Sequence, residues 1–502
     1  MTIAATRRHR SALVVGVCSG LCLVLSVLSG LQFWVTLRIG GYDLGIFDQG
    51  MRGYAGLGLP VSIMKIYHHE FPPGFSLLGD HFSPIVALLA PLYWIWDDPR
   101  MLIVAQAVLF AAGVPVVLAI GRRLFADRRW CPEVSALVYA LGLPLAAASR
   151  VGFHEVAFAV PLTLTLLWAG LARNLPVLLG SALLLCLTKE DLGLVVGAYG
   201  LVLILRGWRG PGLLLLVGGP VLTALAVLWF LPAMGGQAGY YWNYTPLGEN
   251  FGDALRHIVA RPWILLQAAL DLEEKPLLVL RLLFLVLFLP LGSATLLCAA
   301  PQIAERVLST NPGHWTEGHH YDAFVWPILV VAAMETAARL PVKPLATRAL
   351  AVAGALIVAV GVHTSIVPLL TSSEWRPTAS GVALRQGADM IPSGSFVEAD
   401  NSVAPMLTAR TRTIIVDEAP RGAEYVLIKT RSPTFPFTDI ARQRARVDLL
   451  LANGYRQVWT SKEVYLLQRV GDQAIPGMRV PGPDSVPVKD YVPTDLERLY
   501  ED

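Results

Sequence analysis

Up to about residue 370 the chain returns repeatedly to apolar runs of about 20 residues, the length that crosses a bilayer core as a helix. Backbone polar groups find no water there, so such runs fold as helices. The chain therefore reads as a multi-pass α-helical integral membrane protein. Its composition agrees, since 54% of the residues are hydrophobic and 15% charged, against roughly a quarter charged in soluble domains. The net charge of +3 marks no nucleic-acid surface, because the basic residues are dispersed among short loops. All five cysteines (Cys18, Cys22, Cys131, Cys186, Cys298) lie in or beside apolar runs, which indicates neither a disulfide framework nor a thiolate zinc site. The run at 11–37 is too long for a signal peptide and lacks a small-residue cleavage site, so it reads as a retained helix.

Basic residues favour short cytoplasmic loops. The candidates are Arg7, Arg8 and Arg10, the Arg122–Arg129 cluster, Arg173, Arg206 and Arg209, then Arg339, Lys343 and Arg348. Keeping all of them inside predicts eleven crossings, near 11–37, 100–121, 131–149, 155–172, 174–188, 190–206, 211–233, 277–290, 291–308, 322–340 and 347–370. The membrane domain is then 1–370, with the N-terminus inside and an external loop at 38–99. His81–Trp96 is apolar, but counting it as a crossing would expel the Arg122–Arg129 cluster. It is read as a re-entrant or juxtamembrane segment.

From residue 371 charges and prolines return, with β-rich runs at Ser395–Ala399, Thr413–Asp417, Tyr425–Lys429, Gln457–Thr460 and Val464–Gln468. Helical stretches near 380–390 and 438–453 separate them. This pattern predicts a small α/β domain over 371–471, mostly parallel and closed by a hairpin. It would be extracytoplasmic, followed by an irregular tail over 472–502. The domain has no glycine-rich phosphate loop and no nucleophile elbow.

With this topology every histidine except His9 falls on the outer side, together with most of the loop carboxylates. These side chains transfer protons, bind divalent metals or grip phosphate and sugar hydroxyls. Tyr42-Asp43-Leu-Gly-Ile-Phe47-Asp48-Gln49 follows the first run directly. On a helix, Asp43 and Asp48 point about 140° apart, so one of them faces a given cavity. Asp43, which shares a face with Phe47, is preferred; a solvated helix cap is the plain alternative.

Asp80-His81-Phe82-Ser83-Pro84 opens the re-entrant segment, with Asp80 a candidate N-cap and His81 a candidate phosphate or metal contact. His68-His69-Glu70 reads as an ordinary exposed loop. Arg150-Val-Gly-Phe-His154-Glu155 and Thr188-Lys189-Glu190-Asp191 end the third and fifth crossings, each joining a base to an acid. Lys189 and Arg150 suit a phosphate, and Glu155 and Glu190 suit a metal or hydroxyl; snorkelling charges are the structural alternative.

The densest polar loop runs from Asn311 to Asp322 and holds His314, Glu317, His319, His320 and Tyr321. Its spacing matches no zinc signature. Arg281, in an apolar helix, calls for a carboxylate or lipid-phosphate partner. The aromatic run Tyr240–Tyr244 suits either a sugar face or an interfacial belt.

Taken in order, the Tyr-Asp-Leu-Gly-x-Phe-Asp-Gln motif, His81-Phe-Ser-Pro, Phe153-His154, Lys189-Glu-Asp and His320-Tyr321 resemble a bacterial family of uncharacterised predicted multi-pass membrane proteins. The resemblance covers most of 40–335. The architecture is similar to GT-C membrane glycosyltransferases, including the protein mannosyltransferases and aminoarabinose transferases. It implies an outward site and a polyprenyl-phosphate-linked sugar donor in a bacterial-type cytoplasmic membrane. It also implies a first acid at Asp43 or Asp48, a juxtamembrane start at His81–Pro84 and a second acid at Glu155. Phe-His-Glu stands where that group usually has an aspartate.

The expectation is a transferase passing a sugar to an envelope polysaccharide, lipid or protein. Asp43 would be the base, with Asp48 and Glu155 as further catalytic candidates. His81, His154, Lys189, Glu190, Arg281, His319, His320 and Tyr321 would bind substrate. The cofactor is open, with a divalent metal on Asp43, Glu155 or His319 as the candidate. Two other classes fit the chain: a lipid or solute transporter or flippase, which calls for midplane charges and a repeat, and a non-catalytic envelope-assembly protein.

Overall fold

The computed structural model describes residues 3–488 except 129, 238, 241, 316–319 and 342–343. Seven helical spans among the described residues are long and apolar enough to cross a bilayer: Leu13–Val35, Arg100–Leu124, Cys131–Arg150, Glu155–Ala172, Arg209–Ala233, His320–Arg339 and Arg348–Leu370. They coincide with seven of the eleven expected crossings. The other four are shorter. Leu175–Cys186 and Leu192–Leu205 are apolar helices of 12 and 14 residues. The run at 277–308 is broken because Leu287 and Phe288 take positive φ and Pro290 follows. What remains there is a helix at Glu274–Phe284, two 3-10 turns, and a helix at Ala300–Leu308. His81–Trp96 contributes a 3-10 turn at Pro84–Leu89 and a four-residue helix at Ala90–Tyr93, too short to span.

Close helix approach depends on glycine. A Cβ at Gly193 or Gly219 would lie 2.3 or 2.2 Å from the partner's backbone carbonyl, so the Leu192–Leu205 and Arg209–Leu225 helices meet backbone to backbone. Small residues permit this packing where no aqueous hydrophobic effect drives it.

One end of the helical body is laced by arginines. Arg123 Nε donates to Leu171 O at 2.9 Å, Arg128 Nη1 to Ala337 O at 2.7 Å, Arg173 Nη2 to Arg206 O at 2.8 Å and Arg339 Nη1 to Gly292 O at 2.8 Å. Each meets a carbonyl at the end of a helix or turn, where intrahelical donors run out. Arg206 also pairs with buried Glu335 at 2.7 Å. Arg123, Arg128, Arg173, Arg206 and Arg339, five of the basic residues that the charge rule groups on one side, thus share one end of the body.

The C-terminal part holds a five-stranded sheet in the order β2-β1-β3-β5-β4. Its strands are β1 Phe396–Ala399, β2 Arg412–Ile415, β3 Tyr425–Lys429, β4 Tyr455–Ser461 and β5 Val464–Arg469. The β1 strand pairs parallel with β2 and β3, and the β4–β5 hairpin closes antiparallel against β3. Alternation along β3 sends Leu427 to one face and Val426 and Ile428 to the other. The second face packs on Val447 and Leu450 of the Ile440–Ala452 helix. The first packs on Ala383 and Leu384 of the Ala379–Asp389 helix, and its core continues into Leu37, Ile46 and Met64. Sheet and first loop therefore share one apolar core.

Candidate functional site

Asp43 sits in a π-helical turn, Gly41–Gly45, that leads into the helix Ile46–Ala55. Its Oδ2 lies 3.6 Å from His154 Nε2. That approach is possible because Gly152, at φ +102°, brings the backbone before His154 against Leu44; a Cβ there would lie 3.2 Å from the Leu44 Cβ. Buried Gln106, in the Arg100–Leu124 helix, pins the same loop by donating to Gly152 O at 2.5 Å and accepting from His154 N at 3.2 Å. The His154 ring stacks on His320, with centroids 3.4 Å apart, and Phe47 meets its edge. Tyr321 follows, beneath the guanidinium of Arg306, which pairs with Asp322 at 2.5 Å.

The other half is built around Lys189. His81 Nδ1 and the Phe82 amide both donate to Glu190, at 2.9 and 3.0 Å. Lys189 Nζ lies 3.4 Å from Asp191, which also accepts from Gln302 at 3.2 Å and hydrogen-bonds Glu305. Glu155 is 3% exposed and makes no side-chain hydrogen bond among the described residues, yet its charge is felt by both His81 and Lys189. Tyr321 joins the halves, within electrostatic reach of Asp43, Lys189, Glu305 and Arg306.

Burial alone would push the Lys189 ammonium down, but the carboxylates of Asp191, Glu305, Glu190 and Glu155 hold it well above the ordinary lysine value. For His81, Glu190 overrides burial and raises the imidazole from 6.5 to about 9. A raised pKa contributes stability that is complete below 6.5 and is lost as pH rises through about 9. The thermal-midpoint gap between wild type and Glu190→Gln should accordingly be widest near pH 6 and close above pH 9. A gap undiminished at pH 10 would show that the imidazolium pairing is not its source.

Of the residues singled out in the sequence, Asp43, His81, His154, Glu155, Lys189, Glu190, His320 and Tyr321 are brought together. Glu317 and His319 lie outside the described residues. Asp48 is fully buried elsewhere, accepting from Tyr93 Oη at 2.8 Å and pairing with Arg52. Burial pushes its carboxyl up, against the opposing pull of Arg52, Thr408 and Tyr93. Arg281, expected among the substrate contacts, is exposed on the Glu274–Phe284 helix. Arg150 donates to Thr364 O at 2.8 Å, a helix-end contact and not a cluster member. His68 and His69 are buried, contrary to the exposed-loop reading. His69 bridges Tyr42, Tyr240 and Val488 O, and so ties Tyr240 to the first loop.

Gln302, Glu305 and Arg306 are the members not anticipated from the sequence. Their spacing of i, i+3, i+4 within an apolar run was the available signal, since it places three polar groups on one helix face. Among the described residues no group of three or more His, Cys, Asp or Glu is disposed to hold a metal ion. The arrangement offers a carboxylate beside a stacked imidazole, a second carboxylate without a hydrogen bond, and two cations a short way off.

The fold is similar to that of ArnT from Cupriavidus metallidurans bound to undecaprenyl phosphate, with a TM-score of 0.50 and 14% identity over 92% of this chain and 99% of that one. Against ArnT of the same organism in the apo state the values are 0.45 and 13%, over 90% and 99%. No curated protein sequence matches the chain. One family model spans residues 34–469, and the chain belongs to that family, described as predicted membrane protein DUF2079.

Proposed function

We propose that this protein is a membrane glycosyltransferase that moves a sugar from a polyprenyl-phosphate-linked donor to an envelope acceptor at the outer membrane face. The observation carrying this reading is the convergence of Asp43, His154, Glu155, Lys189 and His81 at one cluster, away from the arginine-laced end. The similarity to ArnT supports it at the level of fold, and that neighbour was solved with undecaprenyl phosphate bound. In the proposed topology the four shorter helical segments complete eleven crossings. The N-terminus and the arginine-laced end are inside; the loop at 38–99, the sheet domain at 371–471 and the tail at 472–502 are outside.

In the transfer step, an Asp43 oxygen accepts the proton of the acceptor hydroxyl as the hydroxyl oxygen bonds the anomeric carbon of the sugar. The anomeric carbon–oxygen bond to phosphate breaks, and polyprenyl phosphate departs with the bonding pair. Negative charge grows on the departing phosphate, where fixed cations act most strongly. Lys189 and His81 supply them. Glu155 accepts from sugar hydroxyls, and the His154–His320 stack with Tyr321 forms a wall of the sugar site. Glu190 holds His81 charged.

The test is turnover. Purified protein in phospholipid vesicles, given radiolabelled undecaprenyl-phosphate sugars and a cell-envelope extract, should release undecaprenyl phosphate and label an acceptor. Movement of labelled lipid between leaflets with no release would replace this reading by the transporter one.

A further inference from the structure

Resting on the transfer reading above, we infer that Asn401, in the loop that follows β1, is a positioning residue for Asp43, so that the site is completed by the C-terminal sheet. The first amides of a helical turn have no partner within it. A side chain immediately before the turn usually caps them, but here that residue is Gly40, which has none. Asn401 takes over both. Its backbone carbonyl accepts from Gly41 N at 2.8 Å and its Oδ1 accepts from Tyr42 N at 2.9 Å. The next residue is Asp43.

The contact is as close as backbone allows. A Cβ on Gly40 would lie 2.6 Å from Asn401 Nδ2, and one on Gly41 would lie 2.7 Å from the Ala404 Cβ. Asn401 is itself held by a braced turn. The preceding Asp400 accepts from Ser402 N at 3.0 Å and from Thr434 Oγ1 at 3.0 Å, while its own amide donates to Leu427 O of β3 at 2.7 Å. Across the π-helical turn, Leu44 meets Gly152. Asp43 is therefore set between the sheet on one side and the His154 loop on the other, and Asn401 fixes its distance from His154.

Asn401→Ala removes the acceptor for Tyr42 N and keeps the backbone carbonyl; Asn401→Asp keeps both. The alanine variant should lose about tenfold or more in kcat, since misplacement of a reacting group by about 1 Å costs up to about 100-fold. Its KM for the lipid-linked donor should stay within about twofold, because the donor contacts are left in place. Amide hydrogen exchange across residues 40–46 should accelerate. Asn401→Asp should recover most of both effects, which a merely destabilised sheet would not show.

Unchanged kcat or unchanged exchange in Asn401→Ala, or equal defects in the two variants, would overturn the inference. The exchange readout needs no substrate. If wild-type protein turns over no donor while Asn401→Ala still accelerates exchange at 40–46, the clamp stands and the transfer reading alone falls.

Discussion

Replacing Asp43 with asparagine should reduce sugar transfer by about 100- to 10,000-fold, the usual contribution of a single general base. The substitution preserves shape and removes the proton acceptor. It should leave the fold intact, because Asp43 is partly exposed and its His154 contact, at 3.6 Å, lies beyond hydrogen-bond range. Asp48→Asn supplies the contrast. Asp48 is buried between Arg52 and Tyr93, so removing its charge leaves Arg52 with only the more exposed Asp97 as an ion-pair partner among the described residues. That variant should lower the thermal midpoint and reduce turnover only as far as folded protein is lost. Turnover per folded molecule, with the midpoint measured on the same sample, separates the two. Full activity in Asp43→Asn would remove Asp43 as the base and return the question to Glu155.

The second large effect concerns stability. Arg446→Met should cost about 3–5 kcal/mol, the range seen when one partner of a buried ion pair is removed. Arg446 and Glu398 are both almost wholly buried and pair at 2.5 Å. Arg446 also donates through Nε to Asp417 O at 3.0 Å, and Glu398 accepts from the amide of Arg421 at 3.0 Å. Burial pushes the Glu398 carboxyl up even beside Arg446, so without the arginine it takes up a proton or loses its place in β1. Glu398→Met combined with Arg446→Met should recover part of the loss, since no orphan charge then remains. Thermal unfolding in detergent, read alongside amide exchange in the five strands, measures both. If Arg446→Met equals or exceeds wild type in midpoint, the pair is not holding the sheet. Because Asn401 lies two residues beyond β1, Arg446→Met should also slow transfer.

Much of this arrangement was legible in the sequence, and the reasons differ by region. The central strands could be read because they are short β-rich runs buried on both faces, as Val426, Leu427 and Ile428 of β3 are. Asp43, His81, Glu155, Lys189 and Glu190 stood out because charge is scarce among apolar runs. Glu305 and Arg306 did not, since the run at 291–308 was read by its mean apolarity and not by its faces. The break in the run at 277–308 went unread for a related reason. Apolarity at 277–308 persists through Leu287, Phe288 and Pro290, where the backbone turns. Asn401 was illegible in principle: it reads as an ordinary turn residue, and its partners lie about 360 positions earlier in the chain. Contacts of that range are set by tertiary packing, on which local pattern carries no information.

The arginine lacing has a mechanical consequence. Arg123, Arg128, Arg173 and Arg339 each fasten the end of one element to the carbonyl of another, so that end behaves as a stitched hem. A hem fixes separation while leaving tilt free. If the chain takes the lipid-linked donor proposed above, a lipid arriving sideways from the bilayer is expected to part the helices toward the Asp43 end, in the way a pleated skirt opens from a waistband. On that reading the widest opening falls beside Asp43, and the arginine-laced end stays shut.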